Sequence, residues 1–398
     1  MRRAAIVSPL RSPVGAFGGA LRDVPVEVLG SHVAAAVLRD CGLDPARVED
    51  VVFAQSYANS ETPCVGRWIA LEADLPIEVP GLQIDRRCGG GLQSIVTAAM
   101  MVQTGACDVV LAGGVESMSR IEYYSTDMRW GKRSGSAQFY DRLDRGRERS
   151  QPVRRFGLIS GMIETAETLA REYAIGREAA DAFAAESHRR AAAAWAQGRF
   201  AEEVVPIPVA QRKDDPILFS RDEGIRENST LDTLGKLRPL IKDGIVTAGN
   251  AAQQNDAAAA CLIVAEDKLA ELRLEPMAFL VGWSAVGCDP ARMGLGPVPA
   301  TAKLFKKTGL GFADMGLVEV NEAFATQVLA VLKAWDWDDK ASLNVNGSGI
   351  SLGHPIGATG VRIITTLTRE MRRRGVRYGL AALCIGGGQG MAAIVERA

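Results

Sequence analysis

Cys88 is followed by Gly89, Gly90 and Gly91, where a strand-like run gives way to a helical one. A thiol at a helix start lies among unpaired backbone N–H groups and the positive end of the helix dipole, which favours the nucleophilic thiolate. Glycines beside it let a substrate approach the backbone closely. The same residues also fit a buried structural cysteine next to a flexible turn. His354, one of three histidines, sits between Gly353 and Pro355 in a turn before a helix, whereas His32 and His188 fall on ordinary amphipathic helices. It is either a satisfied structural histidine or the base that takes the proton of Cys88. Cys384 ends an apolar strand and is followed by Ile385 and by Gly386, Gly387 and Gly388. It reads as a core cysteine before a turn, or as a second thiol that relays protons. In the second case the N–H groups of Cys88 and of the Gly386 turn can form an oxyanion hole. Asn321, in Val320-Asn321-Glu322-Ala323-Phe324, is either a helix N-cap or an amide holding a water that polarises a substrate oxygen.

These residues need a scaffold that brings distant turns together. Apolar strand-like runs at residues 4–8, 51–54 and 109–112 alternate with helical stretches at 26–40 and 91–103. This alternation predicts an α/β layer with a mostly parallel sheet. The pattern returns after residue 250, with strands expected at 262–265, 279–285, 318–320, 343–345 and 380–384. A unit of strand, glycine-rich turn, helix and strand ending in paired glycines occurs at 82–114 and again at 343–388, a weak repeat. It would set Cys88 and His354 face to face across a pseudo-twofold axis. Residues 120–249 break the alternation with an arginine-rich stretch (Arg142, Arg145, Arg147, Arg149, Arg154, Arg155) and an alanine-rich helix over 177–197. The expected division is therefore 1–119, an inserted loop domain at 120–249, and 250–398. The arginines are either a solvated face or a site for a phosphorylated ligand.

Composition narrows the function. The 398 residues suffice for two or three packed units, and 47% hydrophobic with 23% charged residues is ordinary for a soluble protein. A formal net charge of −1 supplies no global field for nucleic acid or an anionic membrane. The seven cysteines are scattered and never spaced C-x-x-C, which argues against a disulfide framework and a zinc site and fits a reducing compartment. No apolar run reaches membrane-spanning length, and a core strand from Ala4 leaves no room for a targeting peptide. The ending Val395-Glu396-Arg397-Ala398 carries no peroxisomal address. A cytoplasmic protein is expected.

Taken together, the segments resemble the thiolase family. Asp85-Arg86-Arg87-Cys88-Gly89-Gly90-Gly91-Leu92-Gln93 is similar to its nucleophile motif, and Ala112-Gly113-Gly114-Val115-Glu116-Ser117-Met118-Ser119 to another family stretch. Asn321-Glu322-Ala323-Phe324, Asn346-Gly347, Gly353-His354-Pro355-Ile356-Gly357-Ala358 and Cys384-Ile385-Gly386-Gly387-Gly388 follow in family order and extend the likeness over nearly the whole chain. The resemblance implies an α/β thiolase-like fold of two duplicated five-layered α/β/α/β/α halves, with the loop domain covering coenzyme A. It implies an acyltransferase that cleaves 3-oxoacyl-CoA or condenses acyl-CoA with acetyl-CoA, with no tightly bound cofactor or metal, acting as a homodimer or homotetramer. It also implies roles. Cys88 carries the acyl group, His354 activates it, and Cys384 shuttles the proton of the second substrate. Asn321 with a water, together with His354, forms one oxyanion hole; the N–H groups of Cys88 and Gly386 form the other. Arg226 lies by the adenine, and Met162 and Phe324 wall the acyl pocket. Three departures bear on the substrate: Gly161 stands where short-chain biosynthetic members have histidine, Ala252 where a serine hydroxyl near the pantetheine is usual, and Asp85 for an asparagine. A ketosynthase would pair its cysteine with two histidines, and Cys384 holds the second place. A catalytically silent lipid carrier or scaffold on the same fold is the alternative from another class.

Overall fold

The computed structural model describes residues 2–157, 161–211, 213 and 215–398. Its first half is built on β1 (Ala4–Arg11), β2 (Asp50–Ala54), β3 (Gly81–Ile84), β4 (Val109–Ser117) and β5 (Asn255–Ala265), in the order β3-β2-β4-β5-β1. Its second half is built on β6 (Ala278–Gly287), β7 (Met315–Val320), β8 (Tyr378–Ile385) and β9 (Gln389–Arg397), in the order β7-β8-β9-β6. Leu343 adds a parallel bridge to Val318 in the place that β3 takes in the first half. The pairings match as well: β3-β2 and β2-β4 are parallel, as is β7-β8, and the remaining neighbours in each half are antiparallel. The two halves join where Ala5 and Ile6 of β1 pair with Phe279 and Ala278 of β6.

Eight helices of eight or more residues dress these strands: α1 (Val26–Cys41), α2 (Val65–Glu72), α3 (Gly90–Thr104), α4 (Met162–Glu172), α5 (Arg177–Ala196), α6 (Pro297–Thr308), α7 (Ala325–Trp335) and α8 (Ile356–Arg374). Every residue of β4 and β5 is buried, as strands covered on both faces must be. Alternate side chains point to opposite layers. Val51, Phe53 and Leu111 pack under α1 and α2, while Val52, Val110 and Ala112 pack against α3 and α8. In the second half Leu383 and Ala381 meet that same central layer, and Leu380 and Ala382 face α6 and α7. The five layers α/β/α/β/α are thus made by the two halves together. The reading of five layers in each half is corrected, because α3 and α8 are a single shared layer.

The strand β5 lies in the first half, paired with β4 on one side and β1 on the other. A boundary at residue 250 assigns it to the other half, because sequence order hides that the first sheet is completed only after the insertion. The insertion point has a counterpart. Where β8 turns into β9 through Gly386, Gly387 and Gly388, with φ of +89° and +84° at the last two, the equivalent strands β4 and β5 are separated by residues 118–254. Arg11, fully buried, ties the inserted segment to β1 through ion pairs of 2.7 Å to both Glu203 and Asp222.

The central layer is held at backbone contact by glycine. A Cβ on Gly360 of α8 would lie 2.0 Å from the Leu92 nitrogen of α3, and one on Gly91 would lie 2.8 Å from the Gly357 oxygen. This closeness brings the turn before α3 and the turn before α8 side by side. Gly360→Ala is expected to force the two helices apart, costing at least about 1–3 kcal/mol. A lowered unfolding midpoint with weakened activity in the folded fraction is the result to look for.

Candidate active site

Cys88 occupies a single 3-10 turn, Arg87–Gly89, between β3 and α3. The turn is set by Asp85, whose carboxylate accepts the Arg87 N–H at 2.6 Å. Burial pushes the Cys88 thiol above its ordinary value, while the Gly386 N–H, the Arg87 guanidinium and the backbone N–H of Cys88 itself pull it back down. The expectation that the helix start alone yields a thiolate is therefore corrected. Desolvation of the charged sulfur outweighs the dipoles, and the resting residue is a thiol that needs a base.

His354 follows Gly353, whose φ of +104° and whose contact with Asn255 leave no room for a side chain. Its backbone N–H donates to Asn255 Oδ1 at 2.9 Å, fixing the turn. Burial, assisted by the Arg362 guanidinium, drives the imidazole down to about 3, so it is neutral and able to accept a proton. Its tautomer follows from the hydroxyl beside it. Thr359 Oγ1 lies 2.7 Å from His354 Nδ1 and spends its one proton on the Pro355 carbonyl at 2.9 Å. The hydroxyl can then only accept, so Nδ1 carries the hydrogen and Nε2 keeps the lone pair. Thr359→Val removes that acceptor at nearly constant volume. It should shift the ring tautomer, visible in the imidazole 15N resonances, and slow proton transfer by about tenfold or more, whereas Thr359→Ser should not.

Asn321 follows β7 and is fully buried. Its Nδ2 sits 3.4 Å from both ring nitrogens of His354, and its Oδ1 has no partner among the described residues. It stands behind the histidine rather than in the cavity wall. Cys384, on β8, is 1% exposed. Burial pushes its thiol far up, and the neighbouring Cys88 and Cys288 push it further. At rest, therefore, Cys384 is a protonated thiol.

A cavity of about 870 Å3, including its open mouth, brings together Cys88, His354, Cys384, Gly386, Met162, Phe324 and Ala252. Met162, Phe324 and Cys384 also pack with Met293 and Ala251 in one apolar cluster. Arg226 lies apart, in an outer cleft that shares Arg147, Met162, Ala252, Gln253, Gln254 and Phe324 with the inner cavity. The two form one passage. The Arg226 N–H is held by His188 Nδ1 at 3.2 Å, a positioning task for a helix histidine. Of the six arginines in the 142–155 stretch, Arg147 lines the passage, while Arg149, Arg154 and Arg155 are exposed.

Several residues of the site were not singled out by the sequence. Glu116 accepts from the N–H groups of Ser56, Tyr57 and Gly357 at 3.0–3.2 Å, pinning one wall of the cavity to the start of α8. Burial raises its carboxyl to about 7 against the pull of those three donors. A charged residue at the end of an apolar strand was the available signal. Tyr57 and Met293 line the cavity from segments that carry no recognisable pattern, and Met118 from the stretch 112–119 likened above to the family.

Comparison with known proteins agrees with this geometry. The model described as "Thiolase, N-terminal domain" matches residues 4–267, and "Thiolase, C-terminal domain" matches 274–397. The chain is 44% identical over 396 residues to an acetyl-CoA acetyltransferase of Chromobacterium violaceum, covering 99% of each chain. A solved acetyl-CoA acetyltransferase of Bacillus anthracis superimposes with a TM-score of 0.95 at 41% identity, covering 100% of this chain and 99% of that one. Human mitochondrial 3-ketoacyl-CoA thiolase in complex with CoA superimposes with a TM-score of 0.93 at 40% identity, covering 100% and 98%. A duplicated fold whose two central turns bring Cys88 and His354 into one cavity with Cys384, matched along its full length by both family models, means that this chain belongs to the thiolase family.

Proposed function

We propose that this protein is an acyl-CoA C-acyltransferase, exchanging acyl groups between coenzyme A thioesters through an acyl-enzyme on Cys88. The observation that carries the reading is the single cavity holding Cys88, His354, Cys384 and Gly386 at the end of a passage from Arg226. His354 Nε2 takes the Cys88 proton, and the thiolate attacks the thioester carbonyl. The oxyanion then meets the N–H groups of Cys88 and Gly386, the same two groups that face the sulfur. The coenzyme A thiolate departs and takes the proton of Cys384, which leaves Cys384 as a thiolate and His354 protonated at Nε2. A second acetyl-CoA then loses an α-proton to Cys384. Its enolate oxygen is held by the Nε2–H of the protonated His354 and by a water on the Asn321 side-chain carbonyl; the enolate attacks the acyl carbon on Cys88, and the expelled Cys88 thiolate takes its proton back from His354. Thiolysis of a 3-oxoacyl-CoA is the reverse.

The loop segment would cover the coenzyme, with Arg226 beside the adenine and the pantetheine running past Ala252 and Met162. Coenzyme A enters as substrate, and no resident cofactor is needed. A silent carrier role finds no support in a cavity with every reacting group assembled. Among the described residues no helix is long and apolar enough to cross a membrane, and we place the protein in the cytoplasm. The open edge strand β3 exposes Leu82, with Trp68, Leu71 and Ile77 also exposed nearby. This edge supports a homodimer or a homotetramer. Mixing with acetyl-CoA should leave an acetyl group on the Cys88 peptide by mass, and thiolysis across 3-oxoacyl-CoA chain lengths should define the substrate range. Absence of any acylated Cys88 would refute the reading.

A further inference from the structure

The inner cavity carries charge that an acetyl group has no use for. We propose that the acyl group read by this site ends in a carboxylate, held by Arg87 and Arg147; this rests on the acyltransferase reading and names its substrate class. Arg87 immediately precedes the nucleophile and has φ of +46°, a left-handed conformation that non-glycine residues rarely adopt and that gathers at functional sites. The turn carries its guanidinium into the cleft beside Gly386, where Nη1 lies 3.7 Å from the position of a Cβ on that glycine. Its Nη2 donates to the Gly146 carbonyl at 3.2 Å, which sets it next to Arg147. Arg147 lines the same cavity, and its ion pair with Asp144, at 3.2 Å, engages one nitrogen of the fork against a carboxylate that is 68% exposed.

The surroundings are matched to an anion. Tyr57 lines the same cavity as the two arginines: burial pushes its phenol up to about 12, and the Arg147 and Arg87 guanidinium groups pull against that. Ser56 Oγ, buried in the same wall, has no partner among the described residues. Two carboxylates are close, and both are engaged: Asp85 with the Arg87 N–H, Glu116 with three backbone N–H groups. Met118, Met162, Met293 and Phe324 line the same cavity, Met162 beside Arg87 at Gly386, and supply apolar surface for the intervening methylenes. A guanidinium pairs with a carboxylate bidentately, and a charge-assisted pair of this kind is worth about ten- to a hundredfold in affinity.

The other source of anion is the diphosphate of coenzyme A, because Arg147 also lines the outer cleft. The test is the ratio of kcat/KM for length-matched 3-oxoacyl-CoA substrates ending in carboxylate and in methyl. The wild-type protein should favour the carboxylate by about tenfold or more, and Arg87→Leu and Arg147→Leu should each lower that ratio by about ten- to a hundredfold, with Arg87→Lys keeping part of it. The ratio should persist on N-acetylcysteamine thioesters, which lack the phosphates. Preference for the methyl end, loss of the ratio on those thioesters, or Arg→Leu variants that slow both substrates in step would each overturn the proposal. Dissociation constants of non-reactive thioether analogues, carboxylated against methyl-ended, should show the same ratio without turnover. A failed acyltransfer assay and a failed charge preference are thereby distinguished.

Discussion

Replacing His354 with alanine is expected to slow acylation of Cys88 by about 10²- to 10⁴-fold, the ordinary consequence of removing a positioned general base. The size of the effect follows from the resting state of the pair. Burial holds the Cys88 thiol above its usual value, and only the Gly386 N–H, Arg87 and the Cys88 N–H oppose it. Without a base on hand, the thiolate fraction at neutral pH is too small to carry the reaction. His354 is already neutral there, because burial and Arg362 drive it from 6.5 to about 3. Two results should follow in the wild-type protein. Transfer of label from acetyl-CoA onto Cys88 should show no acidic limb centred at the usual histidine value, since the imidazole does not protonate until far lower pH. Alkylation of Cys88 by iodoacetamide should instead rise through the alkaline range. A His354→Ala variant that acylates at the normal rate, with its fold intact by thermal melting, would remove the imidazole from the first half-reaction.

The sequence made Cys88, His354 and Cys384 visible because each sits at the end of a strand or the start of a helix, where glycine and proline mark the turn. It also showed the two halves, because the unit around Cys88 recurs around His354. What it could not show depends on three-dimensional neighbours. β5 belongs to the first half although it follows the insertion, since hydrogen bonding to β4 and β1, not order along the chain, decides the sheet. β9 was missed because it emerges directly from a run of three glycines, and only the hairpin with β8 reveals it as a strand. The resting protonation of the two thiols was hidden for a related reason. A helix dipole can be inferred from position, but the desolvation that overrides it comes from side chains contributed by distant segments, Met162, Met293 and Phe324 among them. Thr359 and Asn255 escaped notice too, because a threonine inside a helix and an asparagine in a strand acquire their tasks only from where His354 comes to rest.

Replacing Cys384 with alanine should abolish condensation and thiolysis while leaving acetylation of Cys88 measurable, and this separates the two half-reactions. Acylation needs only the Cys88 thiolate and the histidine. Condensation needs in addition a group that removes an α-proton from the second acetyl-CoA, and Cys384 is the other thiol in the cavity wall. In the free protein Cys384 is held protonated by burial, and next by the charge that Cys88 carries when ionised. Forming the thioester on Cys88 removes that second influence, because an acylated sulfur bears no charge. The acyl-enzyme therefore lets Cys384 ionise more readily than the Cys88 thiolate does, so attack on the first substrate relieves the charge that ionising Cys88 places beside Cys384. The loss in condensation should reach about 10²- to 10⁴-fold, read as acetoacetyl-CoA formed or cleaved, with label transfer from acetyl-CoA onto Cys88 followed in parallel. A second measurement tests the coupling itself: a small alkylating agent should modify Cys384 faster, and from a lower pH, in protein whose Cys88 carries a stable acyl group than in Cys88→Asp, whose carboxylate keeps a negative charge beside it. If both forms react alike, or if Cys384→Ala condenses at a near-normal rate, the proton must leave by a different group, and the water held by Asn321 and His354 becomes the next candidate.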